Sequence, residues 1–407
     1  MNIADDVWFE VCLRLPLTEI FKCKCVSKVW LSILSDPYFI NKWYKLNSSL
    51  WTLILGLAKQ NPTAPLNSEL PLFHPELNSQ FISHHQSVSG FSLRFLNQKH
   101  ELSNTKLYVV GSSNGLVLCT NAFYRQNNYY VCNPLSKKWV SLPPPPTEAT
   151  IVHTGFTCES SLISTSFKVI RVDEGATLKI DIFSSDLGKW NVYNVLHPGG
   201  ALHGCSVYDH YVTHNGVFYW MKKGFNQILA FSVNRNHNHQ TCGNECRLIS
   251  LPDQEMDNDR RYFRQSTERN KRFFGQCLGE SEGLICYAIV KHKERSLSVW
   301  VLEENWSLLH KDIKFYDILA EIASSLIGVE STVDLITDIQ VIGFNPVDKN
   351  VVIISYKTHI LAYNIRNGGY EQLSHPSILD SNLPGSYVGI LTFALKPRPT
   401  ILPAVSW

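Results

Sequence analysis

Hydrophobic and polar positions follow a helical period at the amino end of the chain. Apolar residues between positions 5 and 15 fall at i, i+1, i+4, i+5 and i+8, which is one face of a helix. They are Val7, Trp8, Val11, Cys12 and Leu15. Asp5 or Asp6 would cap this helix at its start, and Pro16 would end it because proline lacks an amide hydrogen.

Two further helices are predicted before the helical pattern stops near residue 47. Thr18 is placed to cap the second helix, and Ser27 is placed to cap the third. The pair Asp36-Pro37 would break the third helix, since proline also restricts the residue before it. The pattern therefore predicts three short helices.

From about residue 107 to residue 395 the pattern changes to short apolar runs separated by Asn, Gly, Ser and Pro. One sequence pattern recurs along this region. It consists of a strand, a polar turn and an aromatic residue that opens the next strand. Those aromatic residues are Trp139, Trp190, Trp306 and Tyr370. Their spacing of roughly 50 to 60 residues, doubled between the second and third, is typical of kelch-like propeller blades. A single β-sandwich is the rival, but the stretch is large for one.

The predicted fold class is α+β and multidomain, with a small three-helix unit followed by an all-β, propeller-like domain of five or six blades. We divide the chain into the helical unit at 1–47, a connecting segment at 48–104, the propeller at 105–396 and a Pro-rich tail at 397–407. The connecting segment is interpreted as outer strands of the propeller.

The helical unit carries more large apolar side chains than it can bury. They are Trp8, Phe9, Phe21, Trp30, Tyr38, Phe39 and Trp43. A unit of about 45 residues is too small for a self-sufficient core. We therefore expect another protein to cover part of its surface.

Composition narrows the classes of function. The 407 residues include 37 Lys and Arg against 35 Asp and Glu, so bulk charge does not favour nucleic acid or an anionic membrane. The longest apolar stretches, such as 53–55, are far short of the ~18 residues that span a bilayer. Asp5 and Asp6 stand where a signal peptide would be basic. With eleven cysteines and no such signal, reduced thiols in the cytoplasm or nucleus are expected.

Short motifs recur at fixed offsets in the helical unit. They are Arg14-Leu15-Pro16, Cys25-Val26-Ser27-Lys28 with Trp30, and Ser35-Asp36-Pro37 with Phe39. With these motifs the unit resembles an F-box, the adaptor-binding module of SCF-type ubiquitin ligases. The rest of the chain contains, in this order, the segments GSSNGLVLC, YYVCNPLSKKWVSLPPP, IDIFSSDLGKW, HNGVFYW, LGESEGLICY and LSVWVLEE. In these segments it resembles the F-box-associated domain found mostly in plant proteins. Several residues matched at fixed offsets make a specific signal.

The resemblance implies a set of residues that contact or support a Skp-type adaptor. They are Ile3, Val7, Val11, Leu15, Pro16, Val26, Lys28 and Trp30. The alternative for each is that it fills the core of the helical unit. The family usually has Leu-Pro where this chain has Ile3-Ala4, and Arg where it has Leu31, and each departure could weaken adaptor affinity.

The resemblance further implies a non-catalytic substrate receptor without a cofactor. The adaptor would join it to a cullin and a RING subunit, while the propeller holds an unknown target protein. We expect neither a membrane nor a nucleic-acid partner. The first alternative is a scaffold that recruits the adaptor without ubiquitinating a target, and the second is a propeller enzyme. For target choice the sequence offers the loops 254–274 and 196–215, the latter containing His197, His203, His210 and His214.

Two motifs in the propeller invite a functional interpretation. Gly111-x-Ser113-x-Gly115 matches the nucleophile elbow of serine hydrolases. Because that motif needs a helix after the serine, we favour a hairpin with an Asn-Gly turn. Pro143–Pro146 could be a polyproline ligand. Its place directly after a strand favours a rigid connection between strands.

Two polar segments offer ligand-binding chemistry. His237, His239, Cys242 and Cys246 supply nitrogen and sulfur donors suited to zinc, but their spacing is not that of a standard finger and a solvated loop is favoured. Basic and aromatic residues alternate over 260–274 and could bind phosphates and stack on bases. In a nearly neutral protein, a solvated loop or a contact with an acidic partner is the better interpretation.

Overall fold

A computed structural model gives the architecture. It describes residues 3–47, 51–60, 73–74, 80–83, 107–122, 126–134, 136–149, 152–160, 165–174, 178–195, 210–221, 227–233, 246–252, 276–291, 296–314, 339–356, 359–373, 387–395, 400 and 402–403. Two regions follow one another along the chain, a short helical region and a long region made of strands.

The helical region contains four helices rather than three. They are α1 (Ile3–Leu13), α2 (Leu17–Lys24), α3 (Lys28–Ser35) and α4 (Pro37–Leu46). The sequence pattern does not predict α4, because a proline at the end of a helix reads as a stop signal. At the first position of a helix a proline loses no hydrogen bond. The Asp36 side chain also accepts a hydrogen bond from the Tyr38 amide at 2.8 Å, and so caps α4.

The starts of the other helices agree only in part with the predicted caps. Ser27 does cap α3, because its hydroxyl oxygen accepts a hydrogen bond from the Trp30 amide at 3.2 Å. The prediction of Thr18 as a cap was wrong, since the N-cap of α2 is Pro16, two residues earlier, and the helix begins at Leu17. Asp5 and Asp6 lie inside the first turn of α1 rather than at its cap.

The four helices share one small core. Its buried members are Cys12, Leu13, Ile20, Leu34, Phe39 and Trp43. Two side-chain hydrogen bonds hold α4 against the end of α1. The Trp43 indole N–H donates to the Leu15 carbonyl at 3.1 Å, and the side-chain amide of Asn47 donates to the Leu13 carbonyl at 3.2 Å. The region is therefore packed around α4, the helix that the sequence pattern did not reveal.

Three strands follow the helices, and twenty more form five blades. The first three are β1 (Thr52–Gln60), β2 (Phe73–His74) and β3 (Gln80–Ser83). Blade I has β4 (Tyr108–Ser113), β5 (Leu116–Thr120), β6 (Tyr129–Asn133) and β7 (Lys138–Ser141). Blade II has β8 (Val152–Ser160), β9 (Thr165–Glu174), β10 (Leu178–Ser184) and β11 (Lys189–Val195).

The other three blades repeat this order. Blade III has β12 (His210–His214), β13 (Val217–Met221), β14 (Gln227–Ser232) and β15 (Cys246–Ser250). Blade IV has β16 (Gln276–Ser281), β17 (Leu284–Lys291), β18 (Ser296–Leu302) and β19 (Trp306–Lys314). Blade V has β20 (Ile339–Phe344), β21 (Val351–Tyr356), β22 (His359–Asn364) and β23 (Tyr370–Gln372). In every blade the four strands pair antiparallel with their sequence neighbours.

A sixth sheet, the closing sheet, joins the two ends of the propeller region. The last strand, β24 (Tyr387–Leu395), pairs antiparallel with β1 from Thr52 opposite Leu395 to Lys59 opposite Tyr387. The strands β2 and β3 also pair with β1. The first strands of the five blades and β24 contact one another in succession, so the innermost strands form a closed ring. The prediction of a propeller with five or six blades is confirmed, with five blades of consecutive strands and one closing sheet.

The hydrophobic core lies between blades rather than within one sheet. Each of four apolar clusters combines side chains of two successive blades. The inner strands are buried on both faces by the neighbouring sheets, as β5 is along its whole length, and so they read as continuous apolar runs. The outermost strands have one face towards solvent, and β11 alternates between exposed and half-buried residues.

Each recurring aromatic residue lies at the start of an outermost strand. Trp139 and Trp190 are the second residues of β7 and β11, while Trp306 and Tyr370 open β19 and β23. In blade III the corresponding strand β15 opens with Cys246. The doubled spacing between Trp190 and Trp306 therefore corresponds to blade III, which has a cysteine where the other blades have the aromatic residue.

Candidate functional site

The helical region concentrates exposed apolar side chains. In the described part of the chain twelve large apolar residues are exposed, and nine of them lie within residues 3–47. These nine are Val7, Trp8, Val11, Val26, Val29, Leu31, Ile33, Tyr38 and Leu46. We call this set the apolar helical surface. Such a density of exposed apolar area on a small unit is a feature of protein interaction sites.

The structure places the sequence-predicted adaptor residues at different depths. Val7, Val11 and Val26 have exposed fractions of 58%, 42% and 73%, and belong to the apolar helical surface. Lys28 is also exposed, at the first residue of α3. The remaining four lie at the start of α1 or are half-buried, and these are Ile3, Leu15, Pro16 and Trp30. The adaptor-binding role of all eight stays a prediction.

Trp30 links the surface to the core beneath it. Its ring packs edge-on against the ring of Trp8, with centroids 6.3 Å apart, and its side chain also lies against the helical core. The Ser27 cap fixes the backbone of Trp30 at the start of α3. The Trp30 side chain thus belongs partly to the core and partly to the surface. The two interpretations of this residue, contact with an adaptor and filling of the core, therefore do not exclude each other.

The adaptor set drawn from the sequence omits several exposed residues. Val29, Leu31 and Ile33 lie on α3, and Leu46 is the last residue of α4. Their exposure could not be assigned without the position of α4 against α1 and α3. Two ion pairs also lie in the helical region, between Lys42 and Glu10 and between Lys22 and Glu19.

The Gly111-x-Ser113-x-Gly115 motif forms a hairpin and not a nucleophile elbow. The strands β4 and β5 pair directly, with Asn114 and Gly115 at φ of 47° and 81° in the turn between them. The Ser113 hydroxyl accepts a hydrogen bond from the Cys158 amide of blade II at 3.0 Å. This serine therefore joins two blades, and the hairpin interpretation is confirmed.

Most of the other candidate ligand segments lie outside the described residues. These are His237, His239 and Cys242, the run 260–274, the loop 254–274, and all of the loop 196–215 except 210–215. Cys246 is half-buried in β15, where burial raises the pKa of its thiol to about 11. His214 lies 3.5 Å from the carboxylate of Glu280 in the next blade. Within the described ranges no three His, Cys, Asp or Glu side chains are placed to hold a metal ion together.

The described helices are too short or too polar to cross a bilayer.

None of the nine cysteines in the described part of the chain forms a disulfide. Six of these cysteines are buried, and Cys12 is one of them. Its burial raises the pKa of its thiol, with a smaller contribution from Cys23.

A helical region with an exposed apolar surface, followed by a closed ring of blades, defines a β-propeller protein with a protein-interaction module before the propeller. A family model of the F-box domain matches residues 1–42 of the sequence. A second family model, described as "F-box protein At3g26010-like, beta-propeller", matches residues 79–382. Since the second match covers well over half of the chain, this protein belongs to the family of F-box proteins with an At3g26010-like β-propeller. An F-box domain implies binding of a Skp-type adaptor.

Relatives in Arabidopsis thaliana match over most of the chain. F-box protein At3g26010 is 22% identical over 390 residues, which are 90% of this chain and 78% of the relative. F-box protein At5g49610 is 25% identical over 329 residues, or 75% of this chain and 77% of the relative. A chain in the crystal structure of a nidogen/laminin complex aligns with 85% of this chain and 99% of its own length at 8% identity and a TM-score of 0.38, a likeness too remote to bear on function.

Proposed function

We propose that this protein is the substrate-recognition subunit of an SCF ubiquitin ligase. Its apolar helical surface would bind a Skp-type adaptor and, through it, a cullin and a RING subunit. The propeller would hold a target protein. The observation that carries the proposal is the concentration of exposed apolar side chains on the helical region, nine of the twelve in the described chain.

In this role the protein makes and breaks no covalent bond. It raises the effective concentration of target lysines near a ubiquitin-charged enzyme bound elsewhere on the scaffold. The closed ring supports this task because its paired strands hold the ends of the connecting loops at fixed points. We place this function in the cytoplasm or nucleus, where reduced cysteines such as those described here are stable.

Reconstitution of the full chain with adaptor, cullin and RING subunit tests the proposal. Ubiquitin should be transferred to proteins bound by the propeller, and the transfer should depend on neddylation of the cullin. If the adaptor binds but no bound protein is ever ubiquitinated, the scaffold alternative replaces the proposal. Turnover of a small substrate by the chain alone would favour the propeller enzyme instead.

Two double variants test which residues bind the adaptor. Val26→Ala with Trp30→Ala should abolish co-purification of the adaptor while the thermal unfolding of the propeller is unchanged. Because Trp30 also packs on the helical core, Val7→Asp with Val26→Asp is the cleaner pair, since both side chains are more than half exposed. A charge on an apolar interface should weaken adaptor binding by at least about 100-fold.

The matched control removes apolar area of the same kind from the propeller. Leu187→Ala with Val192→Ala changes two exposed residues of blade II, with exposed fractions of 43% and 45%. This variant should bind the adaptor as the unchanged protein does. Equal loss in both variants would show that the helical region is not the adaptor site.

A further inference from the structure

In four of the five blades the edge formed by the outermost strand is short or irregular. Within the described chain each of these strands pairs on one side only. The strands β7, β15 and β23 have four, five and three residues. The nine-residue β19 is longer, but its register with β18 shifts on either side of Val299, and Asp312 has a positive φ of 49°. Short strands and bulges keep other chains from pairing with a sheet edge.

The edge of blade II has neither of these features. Its strand β11 has seven residues, and all seven pair with β10 without a shift of register. Its only charged residue is Lys189, at the start. Two of the three exposed large apolar residues in the described propeller, Leu187 and Val192, lie in β11 or in the turn before it. This edge can therefore pair with a further strand through its outward N–H and C=O groups.

The two faces of β11 differ in character. Asn191 and Tyr193 line a cleft between blades II and III. Trp190, on the other face, packs against the Tyr129 ring of blade I with centroids 5.9 Å apart. Val192 is on the same face as Trp190 and is 45% exposed. A strand added to this edge would thus have alternate side chains beside a polar face and beside an apolar face.

The face towards blade III is positively charged. The register places Lys168, Ser184 and Lys189 side by side on three adjacent strands. The Lys168 ammonium donates to the Val233 carbonyl at 3.1 Å, an uncharged acceptor that leaves the positive charge of the row in place. Lys189 is exposed and forms no ion pair with a described residue. The next position in this row would belong to the added strand, where Asp or Glu is the favourable residue.

We infer that the edge of β11 binds an extended segment of a partner protein as an additional strand. Acidic side chains of that segment lie towards blade III, and apolar side chains alternate with them beside Val192. Main-chain hydrogen bonds supply affinity in this mode of binding, and the alternation supplies specificity. A second copy of this chain is a poorer occupant, because β11 itself contains no acidic residue to place beside Lys189. The site lies on the propeller and is independent of the proposed adaptor site.

The first test is a titration of the full chain with a labelled, end-blocked peptide, Thr-Glu-Val-Glu-Val-Glu-Thr. Fluorescence anisotropy should show saturable binding, and amide hydrogen exchange should slow within residues 189–195. The same peptide N-methylated at each internal residue keeps its side chains but loses its main-chain donors. Its binding should be at least about tenfold weaker, because strand addition depends on those donors.

Charge reversal tests the choice of occupant. Lys189→Glu should weaken binding of the acidic peptide by about fivefold or more, and should strengthen binding of a peptide with Lys in place of Glu. Lys138→Glu is the matched control, because Lys138 opens the short strand β7 just before Trp139 and is also exposed. This control should bind the acidic peptide as the unchanged protein does.

An exposed apolar residue on each long edge supplies a second pair of variants. Val192→Ser should weaken binding of the acidic peptide, whereas Leu308→Ser in β19 should not. All four variants change exposed residues, so their thermal unfolding should match that of the unchanged protein.

The inference is overturned if the acidic peptide does not bind, if N-methylation has no effect, or if Lys138→Glu loses as much binding as Lys189→Glu. Sedimentation gives a further check. A dimer of the full chain that Val192→Lys dissociates would show that the edge pairs with a second copy, which also overturns the assignment to a partner segment.

Discussion

Glycines on the innermost strands allow a phenylalanine of the next blade to approach the backbone. A Cβ atom would lie 2.7 Å from Phe156 if added to Gly111, and 2.6 Å from Phe344 if added to Gly279. The serines two residues later also reach the next blade, since the Ser281 hydroxyl donates to a carbonyl of blade V as Ser113 accepts from blade II. The G-x-S-x-G pattern therefore encodes contact between blades, and its likeness to a hydrolase motif is a coincidence of spacing.

Replacing such a glycine should destabilise the propeller. Gly279→Ala places a methyl group too close to the Phe344 ring, and overpacking of this kind costs about 1–3 kcal/mol of unfolding free energy. Urea unfolding of the full chain would measure the loss. Gly369→Ala is the matched control, because its nearest neighbour is the flexible end of the Asn367 side chain, and its unfolding midpoint should change little.

A buried thiol gives the propeller a pH dependence above neutrality. Burial raises the pKa of Cys286 from 9.0 to about 12. Between these values only the unfolded chain loses the proton, so the free energy of the unfolded state falls relative to that of the folded state and stability decreases as pH rises. Below about pH 9 the thiol is neutral in both states and contributes no pH dependence.

Cys286→Ala should reduce this slope. Between pH 9 and pH 11 the unchanged protein should lose up to about 1.4 kcal/mol more per pH unit than the variant. Chemical denaturation at several pH values would give the slopes, which are independent of the variant's lower baseline stability. Val290→Ala, at a buried residue of the same strand that does not titrate, should lower the stability but keep the slope of the unchanged protein.

At the scale of elements, tryptophans at the start of outermost strands link successive blades. The Trp190 indole of β11 donates to Pro143, just after β7, and the Trp306 indole of β19 donates to Ser250 at the end of β15, at 2.9 Å. The two contacts are equivalent, because each reaches the end of the outermost strand in the preceding blade. In blades II and IV the recurring tryptophan therefore marks a hydrogen bond between blades as well as a strand start.

Trp306→Phe should weaken the contact between blades III and IV. The ring would still pack near Tyr287, but the Ser250 carbonyl would lose its donor, which costs about 1–2 kcal/mol. Thermal unfolding would show a lower midpoint. Trp300→Phe is the control in the same blade, because its indole nitrogen has no hydrogen bond to a described residue, and the same ring change should cost less.

The sequence predicted elements best where the pattern depends on neighbouring residues alone. The Ser27 cap and the Asn114-Gly115 turn follow from local chemistry, and both are present. The fourth helix was missed because a proline is compatible with both the end and the start of a helix, and only packing decides between them. Blade III was visible in the sequence only as a doubled spacing, because β15 opens with Cys246 where the other blades have an aromatic residue.

The candidate site was predictable in kind but not in extent. An excess of large apolar residues on a 45-residue unit already indicates an interface, whichever residues line it. The boundary between core and surface depends on how the helices pack, as Trp30 shows by belonging to both. The domain boundaries drawn from the sequence stay predictions, as do the eight adaptor residues.

At the scale of the whole molecule, residues near the start of the propeller region pack against blade V, the last blade in the sequence. Trp51, 1% exposed and adjacent to β1, packs against Ile342, Ile353 and Ile360 of blade V. Four residues separate this anchor from the end of α4. The strands β1 and β24 then close the ring. The fold therefore depends on contacts between positions that are more than 300 residues apart.

Truncation after residue 386 should abolish this closure. Without β24 the strand β1 loses its partner and two neighbouring blades each lose a contact, so cooperative unfolding should be replaced by a broad transition. Circular dichroism during heating would show the change. The helical region should still bind the adaptor, because its core contains no residue of the propeller. A sharp transition in the truncated chain would show that the five blades are stable as an open arc.

Ring closure by the first and last strands also constrains biosynthesis. While the ribosome is still adding the later blades, β1 has already emerged and has no β24 to pair with. An unpaired strand edge is a template for aggregation, and the edge of β1 that pairs with β24 stays unpaired until residue 395 has emerged. The helical region, which is complete within the first 47 residues, can meanwhile fold and recruit its adaptor before the domain it serves exists.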